Sequence, residues 1–483
     1  MLRCLTLTAE KDEKKIEDIY TYRRWIDAVE IRLDLCERAN EHFIGKVLNA
    51  AARAAAEVIL TYRRKQDGGP RVLDESQRLQ KLAALLRPGV AYVDIEHGVK
   101  AEQVQRRAAE TGAKVIRSLH DFDGIPSVMS ALIASIAAAG EIPKIACFPK
   151  SSADVHKLMF ACTETASIRE KIIIGMGGYG FFTRAAPLLC GSMLTFCSSG
   201  SLKGAPGQIG PAELEQVYRV SSQNDDTVYY GIIGNPVLHS SSPRIHNKWF
   251  ADAGMNAAYL PFQVDEVGLF MKLAGRIGIR GFSVTVPHKQ NIIEFLDEID
   301  EAVHIIGSCN TVVRCRRGWR GSNTDYEGFL EPLKRRNLLN PGDRALVVGA
   351  GGVARTVVYA LQQARIDVTV VNRTESRASA LAAEFGVHWR SVESNWNKVA
   401  GYQLVIQTSS AGMEPDTDTD PLPAYRFNGS EIVYELIYSP EQTRFLRRAS
   451  EAGCLTLGGS EMLQAQAVLQ FEQFSKVYHS QGE

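Results

Sequence analysis

Through the first ~200 residues, eight short runs of apolar and β-branched residues recur at a fairly even beat. They are LRCLTLTA, AVEIRLDL, AEVILTYR, AYVDIEH, AKVIRSLH, IPKIACFP, EKIIIGMG and GSMLTFCS. Between most of them lie patterns rich in Ala, Leu, Glu and Arg, such as ESQRLQKLAALL and AEQVQRRAAE, which read as helices. Strand and helix alternating in this way predict a (β/α)8 barrel at its small end, a fold that gathers its chemistry at the C-terminal ends of the strands. Those ends are where this sequence places its awkward polar residues. Glu30, Arg32 and Asp34 close the second run, and Arg63 with Asp67 follow the third. Asp94 and Glu96 close the fourth, His120 ends the fifth, and Lys144 sits inside the sixth.

At 483 residues the chain is too long for one such core, so further domains must follow. A composition of 45% hydrophobic and 23% charged residues is that of a soluble globular protein. With 55 basic and 55 acidic residues, no net field favours nucleic acid or an anionic membrane. The N-terminus, MLRCLTLTAEKDEKK, reaches charged residues too soon for a secretory signal. SVMSALIASIAAAG, the most apolar run, falls short of the roughly 20 residues a membrane span needs. Nine cysteines without a CxxC pair imply free thiols in a reducing cytoplasm.

Lys144 is the sharpest single signal. In PKIACFP it shares a strand with Ile145, Ala146, Cys147 and Phe148, where an ammonium is costly to desolvate. One reading is a strand-end lysine reaching water along its stem. The other is an amine that forms a Schiff base with a ketone. His120 at the end of the adjacent strand favours the second, because an iminium needs a base to take the neighbouring α-proton.

VEIRLDL, ILTYRRKQDGG, SLHDFDGIPS, PKIACFP, TR and APGQI stand in an order and spacing that resembles type I 3-dehydroquinate dehydratase. The resemblance implies an imine between Lys144 and the C3 ketone of 3-dehydroquinate. His120 would remove a C2 proton and help expel the C1 hydroxyl as water, giving 3-dehydroshikimate. Glu30, Arg32 and Arg63 would hold ring hydroxyls, and Arg184 with Gln208 the carboxylate, which a guanidinium fork matches. Two positions depart from the family pattern. Asp67 stands where many members carry a glutamate that orients the histidine, and Gly204 where many carry a serine.

From Val228 the chain restarts. TVYYGIIGNPVLHSSSPRIHNKWF reads as strand, polar loop and helix, and AAYLPFQV and GIRGFSVTVPHKQ as strands ending in turns. Further on, RALVVGAGGVARTVVYALQQA is a buried strand, a glycine turn and a helix, with a second strand, IDVTVVNRT, beyond. A glycine turn alone is weak evidence. In this context Gly349, Gly351 and Gly352 would let backbone N–H groups approach a pyrophosphate at the helix N-terminus. The second strand ends in Asn372, Arg373 and Thr374, with Arg377 a turn later, where an NAD-binding chain carries an acid. A cation and a hydroxyl there favour a 2′-phosphate and so NADP; a solvated loop arginine is the bland alternative. Lys289 and Asp325, each just past a short strand, form either a surface ion pair or a pair that passes a proton to an alkoxide.

GNPVLHSSSP, SVTVPHK, IGSCNT, SNTD, GAGGVAR, NRT and GSEMLQAQA together resemble shikimate dehydrogenase. The resemblance implies reduction of 3-dehydroshikimate by NADPH, with Lys289 and Asp325 handling the hydroxyl proton. Ser240, Ser242, Thr285, Asn310, Tyr438 and Gln466 would bind the acid's carboxylate and hydroxyls, and Gly459 would lie on the cofactor side. Ser283 and Gln407 replace asparagines common in single-function members.

The expected organisation is a barrel over 1–215, a linker over 216–227 and a substrate lobe over 228–335. A Rossmann-type NADP lobe over 336–455 and a C-terminal helix over 456–483, returning to the substrate lobe, complete it. The whole resembles the fused dehydratase–dehydrogenase proteins of plants and some bacteria, without a transit extension. Quinate oxidation with NAD would call for an acid near Asn372. A ligand-sensing regulator of the same architecture would have lost Lys144, His120, Lys289 or Asp325. EPDTDTDP lacks the glycine and distal glutamate of a calcium loop, and His239 and His246 are wrongly spaced for zinc, so no metal is expected.

Overall fold

The computed structural model describes residues 1–8, 11–70, 73–199, 207–394, 396 and 401–480, so Gly204 lies outside the described residues. The chain divides into two compact units, Met1–Arg280 and Gly281–Glu483.

In the first unit, each of the eight runs becomes a strand. These are β1 (Leu2–Thr6), β2 (Ala28–Arg32), β3 (Glu57–Thr61), β4 (Tyr92–Glu96), β5 (Lys114–Asp121), β6 (Ile142–Cys147), β7 (Ile172–Gly175) and β8 (Leu194–Ser198). All ladders are parallel, in the order β7-β6-β5-β4-β3-β2-β1-β8. The two ends meet where Met193 N donates to Lys171 O at 2.8 Å, just ahead of β8 and β7.

The period of a strand explains the interior. One residue from every strand forms an apolar plug: Cys4, Ala28, Ile59, Tyr92, Ile116, Ile142, Ile172 and Leu194. Two residues on, each strand points inward again. That layer is Thr6, Glu30, Thr61, Asp94, Ser118, Lys144, Ile174 and Phe196, all buried and mostly polar. The same step repeated brings Arg32, Arg63, Glu96, His120 and Met176 to the rim. A charged layer thus rests on a dry floor.

Two further parallel strands belong to this unit, β9 (Val228–Gly234) and β10 (Ala257–Gln263), in register from Ala257↔Val228 to Gln263↔Gly234. Residues 216–227 are tied down: Gln223 Nε2 donates to Ala185 O at 2.8 Å and to Tyr218 O at 3.0 Å. β10 and its following helix, Val267–Arg276, pack on the barrel. Phe262 lies 5.4 Å from Phe182, and Ser152 N donates to Asp265 Oδ1 at 2.8 Å.

In the second unit, β13 (Thr311–Cys315) runs antiparallel to β11 (Ile279–Val284) and to β14 (Gly318–Ser322). The short β12 (Glu298–Ile299) lies parallel to β14. Then comes an all-parallel sheet of β15 (Arg344–Val348), β16 (Asp367–Val371), β17 (His388–Arg390), β18 (Leu404–Gln407), β19 (Ile432–Glu435) and β20 (Leu455–Leu457). Its order, β17-β16-β15-β18-β19-β20, is that of a doubly wound dinucleotide fold, which places its ligand crevice where the winding reverses, at β15. Alternate residues of β15 feed two apolar cores, Ala345 and Val347 on one face, Leu346 and Val348 on the other. The last helix, Gly459–His479, is bonded to β11, β13 and β14: Ser283 Oγ donates to Gln470 Oε1 (2.8 Å), Gln470 Nε2 to Thr311 Oγ1 (3.0 Å), and Ser322 Oγ to Gln473 Oε1 (2.9 Å).

Candidate active sites

The mouth of the barrel is a cavity of about 450 Å³. Glu30, Arg32, Arg63, Asp67, His120, Lys144, Arg184 and Gln208 all line it, together with Phe122, Met176 and Phe196. Lys144 stands on the dry floor. Its Nζ donates to Asp94 Oδ2 at 2.8 Å, lies 4.0 Å from Glu30 Oε1 and sits 4.3 Å from the centre of the Phe196 ring. Asp94 also receives Arg63 Nη2 at 2.9 Å and the Ser118 hydroxyl at 2.6 Å. Arg63 in turn reaches Ser118 (2.8 Å) and Glu96 (3.3 Å). Burial alone would favour the neutral acid of Asp94, but the charges of Arg63 and Lys144 win and hold its carboxyl well below the usual range.

His120 has the opposite neighbours. Burial first, then the charges of Arg63 and Lys144, push its imidazole well below the ordinary value. A neutral imidazole is a proton acceptor, and among the described residues Nδ1 has no hydrogen-bond partner. Ser118 pairs with Lys144 across the β5–β6 ladder and His120 with Ala146, so the base stands one inward step above the amine.

Glu30 accepts from the hydroxyls of Thr6 and Thr61, each at 2.9 Å, and Arg32 is clamped to Asp34 at 2.6 Å. Arg184 lies in the short helix Phe182–Ala185 after β7 and is 1% exposed; burial pulls its guanidinium down to about 10. Asp67 does line the cavity, yet its Oδ2 accepts from Arg64 Nε at 2.7 Å, three residues earlier in the chain. The Asp67 carboxylate is therefore engaged by a neighbour. Asp94 was named at a strand end but given no role, and Ser118 and Phe196 were not singled out from the sequence. Counting two residues up from the floor on β4, β5 and β8 would have found all three.

In the second unit, Lys289 follows β11 and Asp325 opens the helix Thr324–Arg335, with Lys289 Nζ 2.6 Å from Asp325 Oδ2. Asn310 fixes the carboxylate: its Nδ2 donates to Asp325 Oδ1 at 2.8 Å and to Thr324 Oγ1 at 2.9 Å. Asn323 caps the helix by accepting from Asp325 N at 3.0 Å. Gln470 holds Asn310 from behind, donating to its carbonyl at 3.2 Å. That glutamine was missed, although it lies one helical turn after Gln466 and so on the same face. Gln466 itself backs onto Gly328, where a Cβ would come within 2.7 Å of its own. Thr285 is half-buried beside His288, and Tyr438, after β19, is 55% exposed. In the first unit, Ser240 and Ser242 sit at the turn that starts the helix Ser242–Asp252, Ser242 N donating to Ser240 Oγ at 3.2 Å. His246 of that helix is a core residue stacked 4.5 Å from Tyr259.

The glycine turn follows β15 as expected. Gly349 has a positive φ of 123°, and a Cβ there would strike Thr408 Oγ1 at 2.4 Å, so only glycine fits. Gly351 and Gly352, at the start of the helix Gly352–Gln363, have open space where a side chain would stand. Open N–H groups at a helix start suit a pyrophosphate. At the end of β16, Asn372 Nδ2 donates to Thr374 O at 3.0 Å, while Arg373 and Arg377 are exposed and have no ion-pair partner among the described residues. The donor set fits a dinucleotide carrying an extra phosphate. Gly459 starts the last helix with its Cα against Leu436 O, leaving no room for a Cβ. Gln407 is folded back on its own loop, donating to Ala411 O (2.9 Å) and accepting from Ser409 N (2.7 Å). Among the described residues no group of His, Cys, Asp and Glu is placed to hold a metal, and no helix is long and apolar enough to cross a membrane.

Comparison with known proteins gives three family matches in chain order. These are type I 3-dehydroquinase at residues 3–225, the shikimate dehydrogenase substrate binding domain at 232–312, and shikimate/quinate 5-dehydrogenase at 335–415. A shikimate dehydrogenase (NADP(+)) of Shouchella clausii is 38% identical over 52% of this chain and 93% of its own. A crystal structure of the Thermus thermophilus shikimate 5-dehydrogenase with NADP(H) and shikimate is 33% identical over 52% of this chain and 94% of that one, with a TM-score of 0.47. The chloroplastic bifunctional 3-dehydroquinate dehydratase/shikimate dehydrogenase of Arabidopsis thaliana is 32% identical and covers 98% of this chain and 82% of its own. With both halves aligned to one two-activity relative, the chain belongs to the bifunctional 3-dehydroquinate dehydratase/shikimate dehydrogenase family.

Proposed function

We propose that the chain carries out its two reactions with two separate sets of residues. It catalyses two consecutive steps of the shikimate pathway: dehydration of 3-dehydroquinate to 3-dehydroshikimate, then NADPH-dependent reduction of that product to shikimate. The single observation that carries the first assignment is Lys144, buried over Phe196 and bonded to Asp94, with His120 one inward step above it.

The Lys144 amine adds to the C3 ketone and loses water to form an imine, which makes the C2 protons acidic. Asp94 accepts from Lys144 Nζ and holds it at the floor. His120, kept neutral by its burial and its cationic neighbours, takes the C2 proton. The same proton, returned to the C1 hydroxyl, lets that group leave as water. Hydrolysis of the imine then frees 3-dehydroshikimate and the lysine. Arg184 and Gln208 grip the carboxylate, and Glu30, Arg32 and Arg63 the ring hydroxyls, with Asp67 at the rim.

In the dehydrogenase, Lys289 donates a proton to the oxygen that becomes the new hydroxyl, while Asp325 holds the ammonium and Asn310 holds Asp325. Ser240, Ser242, Thr285, Tyr438 and Gln466 bind the substrate's carboxylate and hydroxyls. Gly349, Gly351, Gly352 and Gly459 shape the pyrophosphate side, and Asn372, Arg373, Thr374 and Arg377 take the 2′-phosphate. When bound, NADPH supplies the hydride. We assign 1–215 to the barrel, 216–227 to the linker, 228–335 to the substrate lobe, 336–455 to the cofactor lobe and 456–483 to the returning helix. Nine cysteines, none placed in a disulfide and eight of them buried, support residence in a reducing compartment such as the cytoplasm.

The test is to give the purified chain 3-dehydroquinate and NADPH. Loss of NADPH absorbance with shikimate formed establishes both halves. Turnover of 3-dehydroshikimate but not of 3-dehydroquinate would overturn the barrel assignment.

A further inference from the structure

The segment that carries Arg184 is held from outside the barrel. After β7, residues 175–185 fold into two short helical turns packed too tightly for side chains: a Cβ on Gly175 would meet Gly180 Cα at 2.6 Å. Thr183 locks the fold, accepting from Gly175 N and donating to Gly180 O, both at 2.8 Å. On the cavity side this segment presents Met176 and Arg184, and Gly177 backs within 3.2 Å of where a Cβ on Gly207 would stand, next to Gln208.

Its other side meets β10. Gln263 Oε1 presses on Gly178 so closely that a methyl group there would sit 2.1 Å away. Gln263 Nε2 donates to Asn235 Oδ1 at 3.3 Å, which fixes the amide from behind, and the Tyr179 hydroxyl is bonded to both. Phe262, the preceding residue, packs against Phe182 with the rings tilted and their centres 5.4 Å apart, and both rings are buried. Two adjacent residues of a strand belonging to the dehydrogenase half thus brace the two turns that deliver the dehydratase's arginine.

We propose that Gln263 and Phe262 are positioning residues for the dehydratase: they set the place of Arg184 and of the Gly177–Gly207 contact beside Gln208, and so the affinity for the substrate carboxylate. The inference rests on the reading of Arg184 and Gln208 as the carboxylate grip. A guanidinium fork loses its match to a carboxylate when displaced by a fraction of an ångström, so a loosened brace weakens binding and leaves the imine chemistry of Lys144 intact.

The experiment uses the full chain and steady-state dehydration of 3-dehydroquinate. Gln263→Ala is expected to raise KM about fivefold or more with kcat within twofold, and Gly178→Ala to do the same from the opposite side. Combined, they should raise KM by less than the product of the single effects, because the shortened side chain vacates the space the new methyl needs. Arg276→Ala is the control: the Arg276 guanidinium lies 5.4 Å over the Phe160 ring, a contact that involves none of residues 175–185. It should lower Tm and leave KM alone. A KM unchanged in Gln263→Ala, or raised equally in Arg276→Ala, would overturn the proposal. Arg184→Ala separates the two readings. If it raises KM steeply while Gln263→Ala does nothing, the carboxylate grip stands and the brace falls; if it leaves KM unchanged, both fall.

Discussion

The side chain of Lys144 is 4% exposed and shares a buried layer with Asp94 and Glu30, with Arg63 and Glu96 directly above. That of Lys289 is 30% exposed, pairs with Asp325 at 2.6 Å, and is backed by neutral groups, Asn310, Thr324 and Gln470. The two halves use a lysine and a carboxylate in different media because they ask different things of the amine. An imine requires the nitrogen to bond to a ketone carbon shielded from bulk water, which a buried floor provides. Delivery of a proton to an alkoxide requires an ammonium that can be recharged, which an open, half-solvated pair supplies. On this contrast the largest effects are on activity, and each should stay in its own half. Lys144→Ala is expected to cut dehydration to the uncatalysed background while shikimate oxidation persists. Lys289→Ala should lower shikimate oxidation roughly 10²–10⁴-fold, the usual range for a lost general acid–base, and spare dehydration. Separate assays of the two reactions on each variant check this, and a loss in both halves from either substitution would break the comparison.

Stability separates the sites as sharply. Asp94 is buried between two cations, and Asp94→Asn leaves them facing each other without it; the expected cost is about 3–5 kcal/mol. Lys289→Met removes an ion pair that water already screens, worth about 1 kcal/mol or less. Urea titration of the two variants measures both. Equal losses would mean that the dehydrogenase pair is as structural as the barrel's.

The barrel was legible almost to the residue. Its eight strands are the eight apolar runs, and the inward step of two turns a sequence position into a height in the barrel. Glu30, Arg63, His120 and Lys144 could be named because polar residues in or just past the C-terminal end of an apolar barrel strand have few other uses. Less legible was whatever depends on a partner's side chain. Nothing in RRKQD shows that Asp67 turns to Arg64, and nothing in AAYLPFQV shows that Phe262 and Gln263 face the barrel. Among the described residues the dehydrogenase motifs were found by their loops, yet Gln470, which supports them, looks like any glutamine on a long helix.

Glu435 offers a second buried carboxyl to set against Asp94, with the opposite sign. It ends β19, 1% exposed and hydrogen-bonded to Thr443, and among the described residues it has no ion-pair partner. Burial dominates over the bonds from Thr443 and Gln407 and pushes its carboxyl up to about 7 from 4.5. Between those values the folded chain holds a proton that the unfolded chain gives up, so stability falls as pH rises through the window. For Asp94, held low, stability is present above the unfolded value and is lost as pH falls below it. Glu435→Gln should therefore stabilise the protein on the order of 2 kcal/mol at pH 8 and hardly at all at pH 4.5. Thermal melts at the two pH values test it; a gain of equal size at both would show that repacking, and not the charge, is responsible.

The smallest expected effect tests whether the barrel's polar layer tunes its base. His120 is held well below its ordinary value by burial and by Arg63 and Lys144, so the acid limb of kcat/KM for dehydration should lie below about pH 6.5, the value for a free imidazole. Asp67 lines the same cavity, but its charge is spent on Arg64 at 2.7 Å. Arg64→Ala removes that partner and leaves an uncompensated carboxylate at the rim. An anion near the imidazole favours its charged form, so the acid limb should move upward, by less than about one pH unit across partly solvated space. The plateau rate should change by no more than about threefold, since neither the amine nor the base has been touched. A limb that stays in place would show that Asp67 does not act on His120, and that the barrel's base is set by the buried cations alone.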